Sequence, residues 1–157
     1  MVKPIVGIQL YTLRDFISNA EDFDNTLSRL EKMGVDTVQI SGIGDIPAGV
    51  QAEILKKHGI SVCVTHKGFE RMLTELDAMI EEHKTIGCDA MGIGGAPQGA
   101  RETGADVRAF ISQAEEVGKT LAENGMTFNY HNHDFEFVKM ADGRYGLDYM
   151  YANVPEL

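Results

Sequence analysis

From Asn129 to Phe137 the sequence reads Asn-Tyr-His-Asn-His-Asp-Phe-Glu-Phe. Imidazole nitrogens bind divalent transition metals and exchange protons near neutral pH, and a neighbouring carboxylate can serve as ligand or proton carrier. His131, His133 and Glu136 are the residues here whose types and spacing suit such chemistry. The competing reading is a polar strand end whose two histidines are simply satisfied by hydrogen bonds. Which one holds depends on where each side chain points, and the surrounding elements set that.

Composition narrows the choice. The chain has 157 residues, 43% hydrophobic and 24% charged, which suits one globular domain over 1–157 with a real core. Its net charge of -10 makes nucleic acid and anionic membrane poor partners, because phosphate binding draws on Lys/Arg clusters. Cys63 and Cys88 sit in or beside apolar runs and read as reduced, packed thiols. The N-terminal apolar run is short and broken by Gly7 and Gln9, which fits neither a signal peptide nor a membrane span. Cytoplasm is the expected location.

Short apolar stretches alternate with segments that carry apolar residues at helical spacing. The strand candidates are Ile5–Tyr11, Asp36–Ser41, Ile60–His66, Asp89–Gly95 and Met126–His133. Between them, one helical face carries Phe23, Leu27, Leu30 and Met33. A second carries Met72, Leu76, Met79 and Ile80, and a third Val107, Phe110, Ile111, Ala114 and Val117. Gly34, Gly59, Gly87 and Gly125 each precede a later strand, as left-handed caps do where a helix hands over to a strand. Consecutive βα units and a parallel sheet follow.

Residue parity favours a barrel over a flat sheet. A doubly wound sheet buries both faces of its strands, whereas here one parity is apolar and the other small or polar. Val6, Ile8 and Leu10 alternate with Gly7, Gln9 and Tyr11; Val38 and Ile40 with Thr37, Gln39 and Ser41. Ile60, Val62 and Val64 alternate with Ser61, Cys63 and Thr65; Met126, Phe128 and Tyr130 with Thr127, Asn129 and His131. The apolar set would pack on outer helices and the other would fill a polar interior. Five strands do not close a (β/α)₈ barrel, which takes about 250 residues. The expectation is a truncated TIM barrel, its first five βα units, as the N-terminal portion of a longer protein. The alternative is a half-barrel whose open sheet edges are covered in a homo-oligomer.

On this register His131 and His133 lie on the interior side at the C-terminal end of the fifth strand, where barrel active sites are built. Tyr130 takes the opposite parity and packs under a helix, and Glu136 falls in the following loop. The Gly92–Gly99 stretch fits neither a dinucleotide fingerprint nor a P-loop and reads as a βα loop. His58, after two lysines at a helix end, has a structural role beside the helix dipole. His83, among charges, reads as part of a solvated helix face.

The stretches GIQLYTLRD, GVDTVQIS, GISVCVTH, IGCDAMGIGG and above all YHNHDFEF resemble the sugar phosphate isomerase/epimerase group of the xylose isomerase-like TIM barrels, in order along essentially the whole chain. The resemblance implies a divalent metal (Mn, Zn, Co or Mg) held mostly by residues of strands beyond this chain, and a sugar or keto-sugar substrate. It also implies a reaction that moves a proton next to a carbonyl. On the same basis His131 occupies a metal-ligand position usually filled by Glu, and His133, with Glu136, a catalytic one. Gln9, Tyr11 and His66 match substrate-pocket positions. Gln39 stands where relatives often have an acid. By helix-facing parity His66 reaches the pocket only if its strand turns after Thr65. A non-catalytic half-barrel and an apurinic endonuclease-type metal hydrolase are the competing functions, the latter disfavoured by the acidic charge.

Overall fold

The protein is described by a computed structural model over residues 5–101, 104–140 and 142–154. Its contacts divide it into two compact units, residues up to His66 with 77–90, and residues 67–76 with those from 91 onward.

In the first unit β1 (Ile8–Gln9), β2 (Thr37–Ile40) and β3 (Ser61–Lys67) run parallel in chain order. Helix α1 (Ala20–Lys32) starts where the Asn19 side chain accepts the Asp22 backbone N–H at 3.0 Å, with Glu21 and Asp22 in its first turn and Lys32 in its last. That arrangement satisfies an orphan donor and suits the helix dipole at both ends. Its apolar stripe buries Phe23, Leu27 and Leu30, but Met33 is 74% exposed. Met33 caps the helix instead of continuing its face. Helix α2 (Ala48–His58) ends on Gly59 at φ 64°. Gly34, Gly87 and Gly125 share that left-handed backbone, as their positions predict.

The first strand is shorter than its sequence suggests. It pairs only through Ile8 and Gln9, after which Leu10–Phe16 coils into a 3₁₀ turn. Ile5 and Val6 are consequently exposed and do not pack under a helix. His58 is buried and bridges α1 and α2, Nε2 to Asp24 at 2.7 Å and Nδ1 to Glu31 at 2.8 Å.

The third strand departs from simple alternation. Val38 pairs with Val62, yet Gln39 pairs with Val64 and Ile40 with Thr65. Cys63 is the extra residue of a bulge, which reverses the parity of everything after it. Cys63 is therefore exposed and not packed. Thr65, expected inside, is fully buried and bonds His83 Nε2 at 2.7 Å from helix α3 (Phe69–Ile86). The solvated role expected of His83 is likewise wrong: it has no exposed surface, and its Nδ1 lies 2.7 Å from the Met79 carbonyl.

In the second unit β4 (Ala90–Ile93) is buried along its length and β5 (Thr127–Tyr130) follows helix α4 (Gly104–Glu123). Phe110, Ile111, Ala114, Val117 and Leu121 form the buried stripe of α4. Phe69 meets the Phe110 ring edge-on at 5.0 Å. The chain then makes a 3₁₀ turn at Phe135–Phe137 and closes with α5 (Gly146–Asn153). Among the described residues, no helix is long and apolar enough to cross a membrane.

Candidate functional site

Each unit carries its own polar group at the C-terminal ends of its strands. In the first, Gln9 and Gln39 are register partners on β1 and β2. Gln39 Nε2 lies 2.6 Å from His66 Nε2, and Ser41 Oγ lies 3.4 Å from His66 Nδ1. An amide nitrogen can only donate, so with this assignment His66 Nε2 accepts and its Nδ1 holds the proton. The bulge at Cys63 brings His66 to Gln39; the strand turns before Val64 and not after Thr65.

Tyr11 belongs to the 3₁₀ turn and is 50% exposed. Its ring lies under the Arg14 guanidinium, 4.7 Å from ring centre to Cζ. Gly42, at φ 69°, closes over the other atoms of the ring: a Cβ there would come within 2.7 Å of Tyr11 Cδ2. Only glycine suits both that backbone and that contact.

In the second unit β5 ends at Tyr130, and the His131 N–H continues the pairing to the Ile93 carbonyl at 3.1 Å. His131 and His133 are exposed, with ring centres 5.0 Å apart and the rings edge to face. His133 stacks on Phe135 at 5.3 Å with 13° between the planes. Glu136 turns inward instead of lying open in the loop, and is 4% exposed. Its carboxylate accepts from the Tyr130 hydroxyl and from the His133 backbone N–H at 2.7 Å. Tyr130 itself sits as its parity predicts, 6.3 Å from the Phe110 ring of α4, with its hydroxyl accepting the Ala96 N–H at 2.9 Å.

Among the described residues no three His, Cys, Asp or Glu side chains come together as a metal site requires. Two imidazoles are at most half of a typical four-ligand shell. The residues present therefore do not fit a divalent ion by themselves. Sequence reasoning missed the Thr65–His83 pair and the part played by Gly95 beside His133. A signal for His83 was available: it falls one turn after Met79, on the apolar face of α3.

No protein-family model matches the chain, and no curated protein matches it. Solved structures do. A sugar phosphate isomerase/epimerase from Parabacteroides distasonis matches with a TM-score of 0.76 at 19% identity, over 98% of this chain and 65% of that one. The probable 3-DHS dehydratase AsbF from Bacillus anthracis matches with a TM-score of 0.68 at 8% identity, over 97% of this chain and 60% of that one. An AP endonuclease of family 2 from Brucella melitensis gives 0.59 at 16% identity, over 82% and 55%. Xylose isomerase domain proteins are also among the matches. The fold is thus that of the xylose isomerase-like TIM barrels, present here as five strands alternating with helices. The chain spans 65% of the length of the Parabacteroides protein.

Proposed function

We propose that this chain supplies part of the active site of a sugar isomerase or epimerase, or a related lyase, that moves a proton next to the carbonyl of a sugar or keto-sugar. The supporting observation is the His133 imidazole, exposed yet stacked on Phe135 and approached at its edge by Gly95 of the β4 loop, just past the end of β5. Barrel enzymes build their sites at that end of the strands. In this reading His133 takes the proton from carbon and returns it to the neighbouring atom. Gln9, Tyr11 and His66 are assigned sugar hydroxyls at the strand ends of the first unit. His131 is assigned one ligand position of a divalent ion (Mn, Zn, Co or Mg). When bound, such an ion supplies Lewis-acid polarisation of the carbonyl.

The test is wash-in of deuterium from D₂O beside the carbonyl across a panel of keto-sugars and their phosphates, with Mn²⁺ added, for a protein that joins this chain to the strands completing the barrel. Exchange on at least one sugar supports the reading. Absence of exchange together with cleavage of abasic DNA would replace it with the nuclease reading.

A non-catalytic half-barrel that assembles with a second copy is the second reading. Ile5 at 78% and Val6 at 80% exposure, beside the two-residue β1, favour it. A stable homodimer in solution without exchange activity would select it.

A further inference from the structure

Glu136 is buried although its neighbours Asp134 and Phe137 are exposed. One carboxylate oxygen accepts from the Tyr130 hydroxyl and the other from the His133 N–H. Behind the tyrosine, the Ala96 N–H donates to the same hydroxyl. A buried carboxylate is tolerated when its oxygens are matched by donors in this way. The linked groups join three points of the second unit: the β4 loop, the end of β5 and the 3₁₀ turn.

We propose that Glu136 is a positioning residue, which fixes the turn that aims the His133 imidazole and itself carries no proton in the reaction. Both its oxygens are engaged and face inward, so neither is presented to a substrate. The His133 backbone, by contrast, is fixed at its amide by that carboxylate. Its ring is then confined by Phe135 on one face and by Gly95. A Cβ on Gly95 would stand 3.0 Å from His133 Cε1, on a backbone at φ 140°. His131 meets the ring edge-on. An exposed imidazole acquires a defined orientation this way, and an oriented base is worth more in the transition state than a mobile one. The proposal rests on the function above only in giving the proton to His133; the positioning itself can be observed without turnover.

NMR of the full chain tests it, comparing wild type with Glu136→Gln and Tyr130→Phe. A glutamine can still accept from the His133 N–H and donate to the Tyr130 hydroxyl, but it loses the charge, so the bond to the His133 amide is no longer charge-assisted. Exchange of the His133 amide is expected to rise about tenfold or more in Glu136→Gln, as loss of one charge-assisted hydrogen bond predicts. The ring-current displacement of its Cε1–H by Phe135 should collapse, while the buried His58 signals stay in place as a control for folding. Should Glu136→Gln fail to fold, Tyr130→Phe removes a single oxygen and should produce the same changes at smaller size. Unchanged His133 exchange and ring shift in the folded variants would overturn the proposal. On any keto-sugar that is turned over, Glu136→Gln should lower kcat while the pH–rate limb of the base stays where it was. A limb that moves or vanishes would make Glu136 the base and overturn the proposal as well. With most metal ligands expected on strands beyond this chain, the chain alone is expected to show no exchange, and the NMR comparison decides the role of Glu136 without it.

Discussion

Gln39 and His66 are joined side chain to side chain at 2.6 Å, across two strands whose register slips by one residue just before they meet. Without the slip, His66 would lie with the residues that face helix α3. The amide nitrogen donates, so the imidazole Nε2 accepts.

Replacing the amide by an acid should change that. In Gln39→Glu a carboxylate takes the place of the donor, and His66 becomes its cationic partner. Its pKa is expected to rise, the usual effect of an opposite charge in contact. The His66 titration followed by NMR checks this, and an unmoved midpoint would contradict the pairing.

Thr65→Val should destabilise the chain through His83. The valine keeps the volume but leaves a buried imidazole nitrogen without its hydroxyl partner, at a cost of about 1–3 kcal/mol. Thr65→Ser retains the hydroxyl and should lose clearly less. Urea unfolding of the two variants makes the comparison; equal losses would mean that the bond contributes nothing.

His58 links stability to pH. Burial lowers its pKa, but the hydrogen bonds it donates to Glu31 and Asp24 outweigh that and hold it above the ordinary histidine value. A raised pKa means that the contribution is fully present below the unfolded value, about 6.5, and fades as pH rises through the folded one. Asp24, lowered mainly by Lys57 and then by His58, loses its share only as pH falls through its folded pKa, below the usual carboxylate range. His58→Gln is therefore expected to lower Tm by several degrees at pH 5.5, at about 2–4 °C per kcal/mol for a chain of this size. At pH 8.5 the gap should be smaller. A gap that grows with pH would reverse the assignment.

The 157-residue chain is expected to bind Mn²⁺ or Zn²⁺ weakly by itself. Two neighbouring imidazoles without a third donor forfeit most of the free energy of a complete shell. Calorimetry showing tight stoichiometric binding would contradict this.

What the sequence made legible was local. Gly34, Gly59, Gly87 and Gly125 could be placed because a left-handed cap needs only its own residue and the helix before it. The stripes of α1 and α4 could be read because helical spacing is intrinsic to the segment. Parity held through β2 and again at Tyr130, but failed after Val62. A bulge is decided by pairing with a neighbouring strand, and nothing in the run from Ile60 to His66 marks Cys63 as the extra residue. β1 was overextended because apolar alternation continues past the point where the backbone coils at Leu10. His83 was misplaced because the charges around it outweighed its spacing from Met79. The three residues of the final cluster were visible by type, yet the inward turn of Glu136 depends on donors from Tyr130 and His133 that no spacing rule foretells.

Under the proposed function His133 moves the proton. The most direct measurement is deuterium wash-in beside the carbonyl of the best keto-sugar substrate, for a protein that joins this chain to the strands completing the barrel, comparing wild type, His131→Ala and His133→Ala in excess Mn²⁺. Loss of a general base is expected to slow His133→Ala by about 10²- to 10⁴-fold. His131→Ala should lose about 10- to 100-fold in metal affinity and recover its turnover as the metal is raised. Wild-type exchange in His133→Ala would contradict the account and place the base elsewhere.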